Sequence, residues 1–305
     1  MDGTFHEPVL LRESLDLLLT SPDGLYVDGT TGGGGHAEAI CRFLSPAGHL
    51  VCFDADADAI EAGRRRLAPY GTRVHFVHGN TADIAGALVP LGITGITGIL
   101  LDLGVSSYQL DTPAKGFSFR ADGPLDMRMD TRQALTAGDV VNTYDETRLA
   151  QVLRAFGEEH RARAIAHRIV RHRPVGSTGA LRDIVTAVAG QHPVKSLARV
   201  FQALRIEVNS ELTHLRGTLA GALGMMEPGG RIVVISYHSL EDRIVKTFFA
   251  ETSATHIRSA SKYLPDTPVV PTMEILTRKP VVANDTECAR NPRARSAKLR
   301  AARKR

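Results

Sequence analysis

Asp28, the four glycines Gly32 to Gly35 and Asp54 are the residues whose types and spacing point most directly to chemistry. Asp28 closes the apolar run Leu25-Tyr26-Val27, the glycines follow, and His36-Ala37-Glu38-Ala39-Ile40 reads as the opening of a helix. Strand, acid, glycine loop and helix is the layout of a nucleotide-type pocket. Glycines let the backbone turn tightly and approach a ligand, and the helix N-terminus offers free N–H groups. The acid decides which nucleotide. A carboxylate at the strand end repels a pyrophosphate, whereas it attracts the sulfonium and ammonium of S-adenosylmethionine, which has no phosphate. The residues predict a methyl-donor site rather than a dinucleotide site. Asp54, 19 residues after Gly35, ends the next apolar run and can accept both ribose hydroxyls. Alone it would serve equally well as a helix cap.

Two later loops could carry the reaction. Asp102-Leu103-Gly104-Val105-Ser106-Ser107 follows the run Ile99–Leu101, and Tyr237-His238-Ser239-Leu240-Glu241-Asp242 follows the run ending at Ser236. Asp102, Ser106, Ser107 and His238 are the catalytic candidates. His238 competes with a simpler role, because Ser239 and Asp242 look like a capping pair for the next helix. The stretch from Lys115 to Asp130 mixes Phe117, Phe119, Met127, Met129 and Arg128, which suits a lid, a base-stacking surface or a hydrophobic hinge. Its three aspartates match no calcium loop. Cys41, Cys52 and Cys288 have no paired spacing, so neither a metal site nor a disulfide framework is expected.

These loops need elements to hold them. The runs Leu25–Val27, His49–Phe53, Val74–Val77 and Ile99–Leu101 recur at α/β spacing, with Ile60, Arg64 and Leu67 marking a helix between the second and third. Near-continuous apolar strands alternating with helices predict a doubly covered parallel sheet whose polar strand ends gather at one edge. A fifth strand, Arg231–Ser236, comes far later than a crossover needs, so something is inserted. Residues 111–204 are mostly helical in pattern, over Thr147–Phe156, Glu158–His172 and Ala180–Ala189, and read as a helical subdomain. The predicted layout is a core over 1–110, the insert over 111–204, the rest of the core over 205–289 and a basic tail over 290–305. A long helix over Val200–Met226 leads back to the sheet, and Met273–Thr277 is expected as an edge strand.

Charge separates the chain into regions. Net charge is +4, yet eight Lys or Arg and no acid lie between Arg290 and Arg305, leaving −4 on the remainder. A second cluster between His160 and Arg173 holds five Arg and three His without an acid. Such runs are often just a solvated helix face or a frayed tail. Two of them in an otherwise mildly acidic chain favour a phosphate-backbone partner, with Arg161, Arg163, Arg168, Arg171, Arg293 and Arg295 as contacts. No apolar segment is long enough for a signal or membrane helix, so a cytoplasmic protein is expected. The oligomeric state is left open, a homodimer included.

Longer strings carry a resemblance. Asp28-Gly29-Thr30-Thr31-Gly32 with Gly34-Gly35-His36, Leu101 to Ser107 with Gln109-Leu110-Asp111, Gly116-Phe117-Ser118-Phe119, Gly123 to Met129, Phe201 to Ile206 with Val208-Asn209, His238 to Arg243, and Asn291 to Ser296 occur in one order and spacing. Together they resemble the bacterial 16S ribosomal RNA cytosine-N4 methyltransferases of the MraW type. The resemblance implies a class I, Rossmann-like α/β methyltransferase core with an inserted helical domain, S-adenosylmethionine as donor, and a decoding-centre cytidine of the small ribosomal subunit as acceptor. It implies donor contacts at Asp28, Gly33, Gly34, Gly35, His36, Asp54, Thr81, Asp102 and Gln109. It also adds Arg199 and Arg205 to the RNA contacts. The chain departs from the family at Thr81, where phenylalanine is usual, and at Tyr108, where proline is usual. The rivals are an NAD-dependent oxidoreductase, opposed by Asp28, a small-molecule methyltransferase, which leaves the basic clusters unexplained, and a non-catalytic RNA-binding module, which leaves the donor site unexplained.

Overall fold

The computed structural model describes residues 8–191, 193–257, 259 and 265–305. Residues 1–7, over which no targeting segment is expected, lie outside that description. The chain divides into two compact units, Met1–Gly104 with His214–Arg305, and Val105–Thr213. The insertion predicted over 111–204 lies within the second unit, which extends six residues farther at one end and nine at the other.

The first half of the first unit alternates strands and helices: α1 Leu11–Leu18, β1 Leu25–Asp28, α2 Gly35–Phe43, β2 His49–Asp54, α3 Ala57–Leu67, β3 Val74–His78, α4 Ile84–Leu88 and β4 Ile96–Asp102. Side chains alternate across these strands, and both faces are buried. Tyr26, Leu50, Cys52 and Leu100 pack with α1 and α2 on one face, while Val27, Val51, Phe53, Ile99 and Leu101 pack with α4 on the other. That double burial explains why the strands read as nearly unbroken apolar runs.

The second unit is helical, with α5 Ser107–Asp111, α6 Ala137–Thr143, α7 Glu146–Gly157, α8 Ala162–Arg171, α9 Thr178–Ala189 and α10 Pro193–Asn209. Its core is built on residues such as Val140, Leu149, Leu153, Ile165, Ile169 and Leu204. The helix predicted over Glu158–His172 begins later, because Glu158 ends α7 in a left-handed conformation at φ 49°. The segment between Lys115 and Asp130 is not a stacking surface. Phe117 and Met127 are buried in this core, and Phe119 meets Phe201 edge-on at 5.3 Å. Met127 holds φ 59°, and Asn209 clamps the turn by donating to Met127 O and accepting from Met129 N, both at 2.8 Å.

The helix expected over Val200–Met226 is two helices. Ser210, at φ 50°, ends α10, and α11 Glu211–Met225 follows. The remaining elements are β5 Met226–Ser236, α12 Ser239–Thr252, the short ribbon β6 His256–Ile257 with β7 Thr267–Pro268, β8 Met273–Ile275, α13 Asp285–Arg290 and β9 Lys298–Lys304. The sheet order is β3-β2-β1-β4-β5-β9-β8, parallel through β5, with β9 antiparallel to both neighbours. Strand order reverses between β1 and β4, which is where open α/β sheets bind ligands beyond the carboxyl ends. In β5 the pairing to β4 jumps from Met226 to Arg231, so Pro228-Gly229-Gly230 lie in a bulge, with Gly229 at φ 83°.

One predicted region is wrong. Residues 290–305 are not a basic tail: β9 lies between β5 and the edge strand β8, with Leu299, Ala301 and Ala302 fully buried. Its cations are held by the fold. Arg300 and Lys298 pair with Asp242, Arg303 pairs with Glu274, and Lys304 donates to the carbonyls of Leu223 and Met226. Among the described residues, no helix is long and apolar enough to cross a membrane.

Candidate active site

Three carboxylates stand at the carboxyl ends of adjacent strands: Asp54 on β2, Asp28 on β1 and Asp102 on β4. The glycine loop between β1 and α2 is fixed to them. Gly32 N donates to Asp54 Oδ2 at 2.7 Å, and Thr30 N donates to Asp28 Oδ1 at 3.1 Å. Thr30 Oγ1 accepts Asp102 N–H at 2.6 Å. Gly34 needs the left-handed conformation, at φ 75°, to start α2. Two other glycines are required by crowding. A Cβ on Gly29 would lie 2.4 Å from Leu101 Cδ2, and one on Gly35 would lie 2.4 Å from Pro8 Cγ. Gly33 is held by its carbonyl, which accepts from Arg66 Nη1 at 3.1 Å.

Asp28 is 1% exposed, and its Oδ2 has no hydrogen-bond partner among the described residues. Burial, helped by the charges of Asp102 and Asp54, raises its pKa to about 7, against the Thr30 and Ala37 amides that lower it. A buried carboxylate oxygen without a donor is costly unless a ligand supplies one. Asp54 accepts from Gly32 N through Oδ2 at 2.7 Å and from Asp56 N through Oδ1 at 2.9 Å. A pocket of three acids fits a cationic adenosine ligand and disfavours a pyrophosphate. S-adenosylmethionine meets that demand, with Asp28, Asp54 and Asp102 as the residues that would hold it.

Asp102 is the centre of a second cluster. Tyr237, the first residue after β5, donates its hydroxyl to Asp102 Oδ1 at 2.7 Å, and Arg293 donates to the Tyr237 oxygen. Burial raises the Asp102 pKa, opposed by His36, Tyr237 and Arg293. Burial and the neighbouring Asp102 push the Tyr237 hydroxyl well up, so it stays a donor. His36, in the first turn of α2, places Nδ1 3.7 Å from Asp102 Oδ2 and Nε2 3.2 Å from Val9 O. Burial lowers the His36 pKa, with Asp102 opposing.

Several predicted site residues serve other ends. His238 is the N-cap of α12: its Nδ1 accepts Glu241 N–H at 3.4 Å, and its Nε2 lies 3.1 Å from Glu241 Oε1. The Glu241 amide takes the Nδ1 lone pair and the Glu241 carboxylate lies beside Nε2, so the ring stands at the helix cap. The cap partner is therefore Glu241, whereas Ser239 and Asp242 were expected, and Asp242 belongs to the pairing with Arg300. Ser106 and Gln109 form a capping box on α5, with Gln109 N to Ser106 Oγ at 3.2 Å and Ser106 N to Gln109 Oε1 at 3.0 Å. Ser107 is the first residue of that helix. Thr81 is buried, and its hydroxyl bonds Thr218 Oγ1 at 2.8 Å, so only its methyl faces the Gly29 turn.

The predicted RNA contacts divide in the same way. Arg205 forms a bidentate pair with Glu211, at 2.7 and 2.9 Å, and is largely buried. Arg199 faces the buried Glu159 at 4.0 Å. Arg161 caps α9 by donating to the carbonyls of Val188 and Ala189. Arg293 is drawn to Tyr237. Arg163, Arg168 and Arg171 remain exposed on α8, and Arg295 is exposed after α13. Sequence reading gave Tyr237 no role. Its position directly after a strand, at the edge where Asp28, Asp54 and Asp102 gather, was the available signal.

The chain is similar along nearly its whole length to known proteins. The ribosomal RNA small subunit methyltransferase H of Heliobacterium modesticaldum is 48% identical over 315 residues, covering 98% of both chains. That of Geobacter sulfurreducens is 49% identical over 308 residues, with the same coverage. Among solved structures, TrmN from Thermus thermophilus aligns with 97% of this chain and 48% of its own at 13% identity and a TM-score of 0.44, too remote to carry an argument. The MraW methylase family model matches residues 3–305. With a mostly parallel sheet, carboxylates at its switch point and this match along nearly the whole length, the chain belongs to the MraW methylase family and is an S-adenosylmethionine-dependent methyltransferase.

Proposed function

We propose that the enzyme methylates the N4 amino group of a decoding-centre cytidine in 16S ribosomal RNA, in the cytoplasm and on the small ribosomal subunit or its RNA. The observation that carries the chemistry is the Asp102 carboxylate, raised in pKa, hydrogen-bonded by Tyr237 and standing beside the carboxyl end of β1. The names of the relatives supply the substrate class.

A cytosine amino group is a weak nucleophile because its lone pair is delocalised into the ring. S-adenosylmethionine supplies a methyl group on a cationic sulfur. The protein must orient the amine and take its proton. Orientation alone can contribute roughly 7–11 kcal/mol. Asp102 Oδ2, the oxygen that Tyr237 does not occupy, accepts a hydrogen bond from the amine and then its proton, with His36 Nδ1 as the adjacent proton acceptor. A positioned acceptor of this kind contributes about 10²–10⁴-fold. The target base must leave its stack to reach these atoms.

The experiment offers free cytidine, naked 16S RNA and 30S particles to the enzyme side by side and analyses the product nucleosides. N4-methylcytidine from one decoding-centre position is expected, and Asp102→Ala should remove it. Methyl incorporation at another atom, or undiminished turnover by Asp102→Ala, would defeat the reading.

A further inference from the structure

His36 Nε2 meets a carbonyl, Val9 O, which can only accept, so Nε2 carries the proton and Nδ1 turns its lone pair toward Asp102. What fixes that carbonyl is its own peptide group. The Val9–Leu10 peptide bond has its C=O on His36 and its N–H on Glu287, with Leu10 N to Glu287 Oε1 at 2.7 Å. A carboxylate accepting the N–H polarises the same amide and strengthens its carbonyl as an acceptor. Leu10 is fully buried and holds φ 51°, a left-handed conformation that a non-glycine residue keeps only where its surroundings impose it. Pro8 sits against Gly35 just before it.

Glu287 lies on α13, and six residues later the same segment delivers Arg293 to Tyr237. The interactions form a closed circuit: Glu287, the Val9–Leu10 peptide, His36, Asp102, Tyr237 and Arg293. We infer that the segment 285–296 is a positioning element for the reaction, in which Glu287 fixes the His36 tautomer through the Val9–Leu10 peptide and Arg293 holds the Tyr237 hydroxyl on Asp102. Glu287 and Arg293 touch no reacting atom. The inference deepens the role proposed for Asp102 and rests on it for the kinetic consequence, but not for the tautomer. The groups with charge or titration facing the His36–Asp102 pair are Asp28 and Asp54 from β1 and β2, Tyr237 and Glu241 from the segment after β5, and Arg293.

The test uses ¹⁵N-histidine-labelled, full-length, ligand-free protein, in which the ring nitrogen signals of His36 report the tautomer without any turnover. Wild type is expected to show a single Nε2–H form. Glu287→Ala should mix the two tautomers, and Glu287→Gln, which keeps an acceptor oxygen, should restore the wild-type pattern. In kinetic assays Glu287→Ala should lower kcat about tenfold or more, within the range a positioned acceptor provides, and shift the acidic limb of its pH profile. The KM for the methyl donor should move less than about twofold. An Nδ1–H form in the wild type overturns the inference even where Glu287→Ala does not fold, and so does an unchanged His36 pattern in folded Glu287→Ala. A changed pattern with unchanged kcat would instead count against the proton-acceptor role of Asp102.

Discussion

Asp28 is the residue whose chemistry was most legible from sequence and whose energetics were not. Its place after β1 predicts a cationic ligand; its burial, with one oxygen unsatisfied, sets the cost of keeping it ready. The folded pKa of about 7 lies above the ordinary value of 3.8, so its contribution to stability is complete below about pH 4 and is lost as pH rises through 7. Above pH 7 the free protein carries a penalty with an upper bound on the order of 4 kcal/mol. Asp28→Asn should therefore be more stable than wild type at pH 8 in urea denaturation, with the gap closing toward pH 5. A cationic ligand reverses the balance, because it favours the ionised carboxylate. Donor affinity should rise between pH 6 and 8 in the wild type, with net proton release in calorimetry near pH 6.5, and neither trend should survive in Asp28→Asn. A pH-independent stability difference between the two proteins would show that Asp28 is not buried as an acid. Other residues could not be assigned from the chain alone. His238 and Ser106 sit in polar loops where a base and a helix cap look alike, and only the positions of Glu241 and Gln109 decide between them.

At the scale of elements, the parallel strands were legible because both of their faces are buried, which forces an unbroken apolar run. β9 was not, for the opposite reason. In Lys298-Leu299-Arg300-Ala301-Ala302-Arg303-Lys304 the buried positions are one leucine, two alanines and an arginine, and four cations are balanced by partners distant in sequence or by backbone carbonyls. No local pattern distinguishes such a strand from a solvated tail. The helix break at Ser210 was hidden similarly, since a serine in a left-handed conformation has no local signature. The strand reading makes a prediction that a tail reading does not. Ala301→Asp places an unpaired charge at a fully buried position between β5 and β8 and should cost several kcal/mol, enough to unfold a protein of ordinary stability. Circular dichroism and soluble yield are the readouts, and wild-type melting of this variant would mean that the segment is not within the sheet.

Across the whole molecule, charge is divided by function. The strand-end acids Asp28, Asp54 and Asp102 gather negative charge that opposes a phosphate, while the exposed cations Arg163, Arg168 and Arg171 stand on one face of α8, whose other face packs Ile165, Ala166 and Ile169 into the core of the helical unit. Only cations without a structural partner are at liberty to meet a phosphate backbone, which is why Arg199, Arg205 and Arg300 are poor candidates despite their charge. Replacing Arg163, Arg168 and Arg171 together with glutamate should leave the fold intact, because all three are exposed, and should leave donor affinity unchanged. RNA affinity should fall, and its dependence on salt should flatten. Each phosphate contact contributes about 0.7–0.9 to the slope of log affinity against log salt, so losing three contacts should reduce that slope by roughly 2–3. The measurement is a salt titration of RNA binding for wild type and triple variant, with donor binding as the control. An equal slope in the two proteins would assign the α8 face to solvent and move the search for the RNA surface to Arg295 and the segment around it.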